Sequence, residues 1–128
     1  AVTSVAVSPD NAKVATASTD RTARIWELKT GECAKILDAH TGPVFAVQFS
    51  PGGTEVLTAS ADRTARLWSP SGELLRKLSG HTQALYSAIF SPSGKEVLTA
   101  SHDKTARLWD LSGELRQTFS GHSAHVYK

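Results

Sequence analysis

Methionine is absent from the 128 residues, and cysteine occurs once, at Cys33. A single thiol cannot close an internal disulfide, which excludes a small secreted scaffold held together by bridges. Cys33 is read as a small strand residue. Charge of one sign is also lacking. Fourteen Lys and Arg stand against twelve Asp and Glu, for a formal net charge of +2, and no five like charges run together. There is thus no basic arm and no acidic tail, and nucleic acid is disfavoured as a partner. Apolar runs stop at four or five residues, whereas a membrane helix needs about 20. No signal-peptide pattern is visible, and the scarcity of cysteine sets an intracellular, cytoplasmic expectation. Spacings such as Cys-x-x-Cys or His-x-x-x-His are missing, so no metal is expected.

What is present is Thr, Ser, Val and Gly in a strong internal repeat, a composition that favours strands. The segments ending at Trp26, Trp68 and Trp109 read TASTDRTARIW, TASADRTARLW and TASHDKTARLW. His40, His81 and His122 are each 41 residues apart, and residues 40–80 match residues 81–121 at 24 of 41 positions. A period of this length marks a repeat architecture. In the third copy, four short strands are predicted: 84–90, 96–101, 105–109 and 114–119. Pro and Gly fall in the gaps between them, where they terminate pairing.

These copies resemble the WD-repeat (WD40) family along the whole chain. Gly80-His81 and Gly121-His122 resemble its Gly-His signature and Trp109-Asp110 its Trp-Asp signature, while Ala39-His40, Trp26-Glu27 and Trp68-Ser69 depart from them. The resemblance implies an all-β propeller fragment of three four-stranded antiparallel blades plus the start of a fourth. Blade 1 would occupy residues 1–39, blade 2 residues 40–80, blade 3 residues 81–121, and the next blade would begin at 122–128. It also implies a buried hydrogen-bonded set in each blade: His40, Ser60, Asp62 and Trp68, then His81, Ser101, Asp103 and Trp109. Blade 1 would keep Ser18, Asp20 and Trp26 but lack the histidine. A buried carboxylate needs several donors, and these residue types supply them. A Ser-His-Asp set also invites a hydrolase reading. Catalytic sets, however, occur once, with an exposed nucleophile, and this one recurs in every copy.

Propellers close with four to eight blades, so three leave two open radial faces. Ala1 aligns with Pro43 and Ala84, and Lys128 with Ala46 and Ser87. The frame is therefore read as a window on a longer chain. The binding candidates follow the same period. Phe45, Tyr86 and Tyr127 form an aromatic series, flanked by the tight-turn residues His102, Arg63 and Lys104, with Arg21 in the first copy. Aromatic and cationic groups together suit a recognition face, and cations suit an acidic or phosphorylated peptide. Arg24, Arg66 and Arg107 lie two residues before each Trp and are expected to stabilise the blade seams. The leading expectation is a non-catalytic protein–protein interaction scaffold within a larger propeller protein or assembly, without cofactor. The alternative is a sensor module of a multidomain signalling NTPase or protease. A third is a fragment that self-assembles, its further blades coming in cis or in trans.

Overall fold

Twelve short strands build the computed structural model, which describes residues 1–128. The first sheet has the order β1 (Val2–Val7), β2 (Lys13–Ser18), β3 (Ala23–Glu27), β4 (Cys33–Leu37). The second contains β5 (Val44–Phe49), β6 (Val56–Ser60), β7 (Ala65–Trp68) and β8 (Leu74–Leu78), and the third β9 (Leu85–Phe90), β10 (Glu96–Ser101), β11 (Ala106–Asp110) and β12 (Leu115–Phe119). Every pairing is antiparallel between chain neighbours. Each sheet is one propeller blade. Residues 122–128 form no strand but dock on blade 3, where Val126 N donates to Ser101 O at 2.9 Å.

Local sequence explains the hairpins. Ser8, Ser50 and Ser91 end the first strand of each blade, and their hydroxyls accept the backbone N–H of Lys13, Glu55 and Glu96 at 2.9, 3.0 and 3.2 Å. The Ser side chain thereby satisfies the amide that the turn leaves unpaired.

The core lies between blades, because alternate residues of each strand face opposite neighbours. Ala15, Ala17, Ala23, Ile25 and Leu37 of blade 1 meet Val44, Val47, Phe49, Val56 and Trp68 of blade 2. One period on, Leu57, Ala59, Ala65, Leu67 and Leu78 of blade 2 meet Leu85, Ala88, Phe90, Val97 and Trp109 of blade 3. Each blade thus has a leading face carrying Trp and a trailing face of smaller residues that receives it. All twenty of these side chains are at most 7% exposed. The outer faces have no such partner. Val2, Val5 and Val7 on the leading face of blade 1 are 65, 67 and 55% exposed, and Phe119 on the trailing face of blade 3 is 50% exposed.

Candidate functional site

The leading face of blade 2 carries a chain of polar groups through its interior. Trp68 Nε1 donates to Thr58 Oγ1 at 3.0 Å, Thr58 Oγ1 lies 2.7 Å from His40 Nε2, and His40 Nδ1 lies 2.7 Å from Asp62 Oδ2. An indole N–H can only donate, so the Thr58 hydroxyl accepts it and gives its own proton to Nε2. The imidazole proton then sits on Nδ1 and is donated to the carboxylate. Asp62 also accepts from Thr41 N, Thr64 N and Thr64 Oγ1 at 3.2, 3.0 and 2.6 Å. Blade 3 repeats the relay as Trp109, Thr99, His81 and Asp103, at 2.9, 2.7 and 2.6 Å. In blade 1 only Trp26 Nε1 to Thr16 Oγ1, 2.9 Å, remains, and Asp20 caps its own turn through Thr22.

The hydroxyl in the relay is therefore threonine, which corrects the assignment of Ser60 and Ser101. Ser60 Oγ donates to the carbonyls of Gly42 and Pro43 at 3.0 and 2.9 Å and accepts Asp62 N at 3.1 Å. Ser101 does the same with Gln83, Ala84 and Asp103 N, and Ser18 accepts Asp20 N. These serines hold the tight turn to the strand beside it. Thr58 and Ser60 share one strand face and one period, so spacing did not separate them. Strand register does: Thr58 pairs with Arg66, diagonal to Trp68 and within reach of the indole, whereas Ser60 lies at the strand end.

Arg24 and Arg66 stay within their own blades. Arg66 Nη2 lies 3.9 Å from Asp62 Oδ2 and Arg24 Nη2 3.9 Å from Asp20 Oδ2. Arg107 Nη1 packs over Gly80, where an added Cβ would stand 2.7 Å away and the φ of +146° already disfavours a side chain. The buried Nε of Arg66 and of Arg107 has no partner.

Multiple donors hold both carboxylates in the charged form against the cost of burial. Asp62 is held far below the usual value, and Asp103 is lowered from 3.8 to about 2. Burial also lowers the pKa of His81 from 6.5, outweighing the pull of Asp103. The folded state thus binds fewer protons than the unfolded chain as pH drops below about 6.5. Stability is complete above that pH and is expected to fall from there as His81 resists protonation. A second loss follows between pH 3.8 and about 2, through Asp103. Urea midpoints taken from pH 8 to pH 2 check this; a flat profile down to pH 5 would exclude the histidine contribution.

The other candidate region lies at the end of the sheets that carries the β2–β3, β6–β7 and β10–β11 turns. The turn amides of Thr19, Ala61 and His102 donate to the carbonyls of Ala1, Pro43 and Ala84, which bring the starts of the first strands to the same end. There the register slips by one residue between Val44 and Ala46 and again between Leu85 and Ser87. Phe45 and Tyr86 are therefore bulge residues, and a bulge re-aims its side chain. The Phe45 and Tyr86 rings stack at 4.9 Å, 11° apart. Tyr86 packs on His102 at 4.5 Å and on Tyr127 at 5.4 Å. His102 stacks on His125 at 3.8 Å. Tyr127 is exposed, Phe45 and Tyr86 half-buried. Arg63 and Lys104 are exposed on neighbouring turns and take part in no ion pair. His125 was not among the predicted binding residues, because its period mates are Pro43 and Ala84 and gave no series. A groove along the first strands, lined by Thr3, Val5, Phe45, Tyr86, Ile89 and Tyr127 among others, opens beside the cluster.

The family model described as WD domain, G-beta repeat matches residues 1–27, 31–69 and 72–110. The chain belongs to the WD-repeat family. Among curated proteins, a 41-residue stretch of this chain is similar to Eukaryotic translation initiation factor 3 subunit I of Neosartorya fischeri, of Aspergillus fumigatus and of Aspergillus oryzae. In each case identity is 49% over 41 residues, which covers 32% of this chain and 12% of the relative. The matched segment has the length of one WD repeat, a small part of those proteins. No helix long and apolar enough to cross a membrane is present.

Proposed function

We propose that this WD-repeat chain is a non-catalytic protein-interaction scaffold contributing blades to a larger assembly, and that its partner docks on the turn end. The carrying observation is the pair of bulges that draws Phe45 and Tyr86 of successive blades into one cluster with His102 and Tyr127, beside unpaired Arg63 and Lys104. Aromatic anchors beside cations are what interface centres use, and an acidic or phosphorylated peptide is the complementary ligand. The His, Thr and Asp groups that would serve a hydrolase are engaged with one another inside the blades. The relatives' name, a subunit of a translation initiation factor, supports a place in a multi-subunit, cytoplasmic assembly.

Phe45→Ala combined with Tyr86→Ala is expected to lower partner binding at least tenfold, since aromatic hot spots each carry about 2 kcal/mol or more. The measurement is recovery of co-purifying protein by the tagged parent and variant, with circular dichroism confirming the fold. Undiminished recovery by a folded variant removes the cluster from the interface.

The open radial faces support a second docking reading, in which further blades, in cis or from a second copy, cover Val2, Val5, Val7 and Phe119. Their period mates at the two internal seams are buried.

A further inference from the structure

Each histidine relay joins two blades. His40 follows the last strand of blade 1 and reaches Asp62 and Thr58 of blade 2. His81 follows the last strand of blade 2 and reaches Asp103 and Thr99 of blade 3. The amide of the next residue, Thr41 or Thr82, closes on the same carboxylate oxygen, Oδ2. The two outer blades hold the separate halves of one more relay. In blade 1, Thr16 Oγ1 accepts Trp26 Nε1 but donates to nothing. Asp20 Oδ1 serves Thr22, while Oδ2 accepts no hydrogen bond and has only Arg24 Nη2, 3.9 Å away. Past blade 3, His122 and Ser123 stand one period after His81 and Thr82. The His122 ring is exposed and hydrogen-bonds to nothing.

The apolar faces divide in the same way. Val2, Val5, Val7 and Trp26 stand one repeat before Val44, Val47, Phe49 and Trp68, which the first internal seam buries. Leu98, Leu108 and Phe119 stand one repeat after Leu57, Leu67 and Leu78, which the second buries. At the turn end the internal seams bury Leu37 and Val44, then Leu78 and Leu85. The outer faces offer Phe119 and Val2 there, with the larger side chain on the trailing face and the smaller on the leading one.

We propose that a second copy of this chain covers the open faces head to tail, and that His122 of each copy completes the relay of Trp26, Thr16 and Asp20 in the other. This rests on the reading that further blades cover the radial faces; it commits that reading to a second copy and names the residue the copy supplies. Two copies make a ring of six blades, within the roughly four to eight that propellers use. A head-to-tail contact that closes on itself stops at the ring instead of growing into a filament. In the ring, His122 Nδ1–H is donated to Asp20 Oδ2, the Ser123 amide joins it, and Nε2 takes the Thr16 proton. Residues 125–128 are in phase with residues 1–4, and Tyr127 lies against Tyr86 as Tyr86 lies against Phe45. These four residues hold the place that the start of β1 takes in the pair, so pairing displaces them.

Sedimentation velocity of the full chain over a concentration series tests this, with circular dichroism confirming that each variant folds. The expected result is a reversible dimer. His122→Ala and Asp20→Ala are each expected to weaken it about tenfold or more, because the ring loses two relays and leaves buried groups unmatched in both. Combined, they are expected to cost no more than either alone, as for two residues in one contact. Both side chains are exposed in the separate chain, so its fold is expected to be unchanged. Val7→Phe restores the side chain that Phe49 and Phe90 supply at the internal seams, and it is expected to strengthen the dimer. Removal of residues 125–128 is expected to do the same. A mass of one chain for the parent, the shortened chain and Val7→Phe alike overturns the proposal, as does assembly beyond two copies. So does a dimer that His122→Ala and Asp20→Ala leave unchanged or weaken additively. If Leu98→Ala weakens such a dimer and His122→Ala does not, a second copy still covers the face and only the shared relay falls.

Discussion

Asp62→Ala is expected to lower the unfolding free energy by about 3–5 kcal/mol, because several donors lose their acceptor together and each buried donor left unsatisfied costs about 1–3 kcal/mol. The side chain is 4% exposed and that of His40 is fully buried. Its loss strands the buried His40 Nδ1–H and takes the acceptor from the part-buried Thr64 amide and hydroxyl, and from the exposed Thr41 amide. An imidazole without its acceptor is free to reverse its tautomer, which sets two donors, Trp68 Nε1–H and an Nε2–H, against one threonine oxygen. The effect therefore travels along the relay into the core between blades 1 and 2. Asp20→Ala in blade 1 is the internal control. That carboxylate makes the same bonds within its turn, to Thr22 N and Thr22 Oγ1, but has no histidine and is half exposed. Its loss is expected to be a small fraction of that at Asp62. Urea unfolding of both variants decides the matter. Equal losses would mean that the turn bonds shared by the two sites carry the stability and the imidazole relay does not.

That contrast also marks where the sequence could be read and where it could not. The 41-residue period gave the blades and, to within a residue, the strands of the third copy, while the resemblance to WD-repeat proteins gave the Trp, His and Asp of the two relays. Thr58 recurs as faithfully as Ser60, and both point to the same side of β6. Only the register of β6 against β7 places the indole over one hydroxyl and not the other. The aromatic series was equally visible as a period, yet the reason Phe45 and Tyr86 come together is a one-residue bulge, a property of strand pairing that leaves no mark in composition. The seven-residue end of the chain showed His122 and Tyr127 in phase but no strand. Its contacts run through His125, Val126 and Tyr127, onto blade 3. Arg66 and Arg107 share the face of the tryptophans, as strand alternation requires. They turn back toward their own blade's Asp, or over Gly80, because the cross-seam neighbours there are apolar.

Leu57→Ala is expected to cost about 2–5 kcal/mol, as for other fully buried leucines. Leu57 is 0% exposed between the trailing face of blade 2 and the leading face of blade 3. Leu98 holds the same position one period on, but faces the open side of blade 3 and is only half-buried. With the chain monomeric, Leu98→Ala leaves no closed cavity and loses less transfer energy, so its cost is expected to be less than half as large. The two seams inside the chain are copies of one packing scheme, and the two outer faces are its unmated halves. Mass measured by light scattering across a concentration series therefore reads the same substitutions a second way. If blade 1 of one copy covers blade 3 of another, Leu98→Ala shifts association to higher concentration while Leu57→Ala leaves it in place. Its stability cost then climbs toward that of Leu57 as concentration rises. If the mass stays at that of one chain and Leu98→Ala stays cheap throughout, a second copy does not cover the face. The surface between Phe119 and Leu98 is then left to blades of another chain or another segment, whose leading face must present what blade 3 presents to blade 2: a tryptophan, a phenylalanine and β-branched or leucine side chains in register.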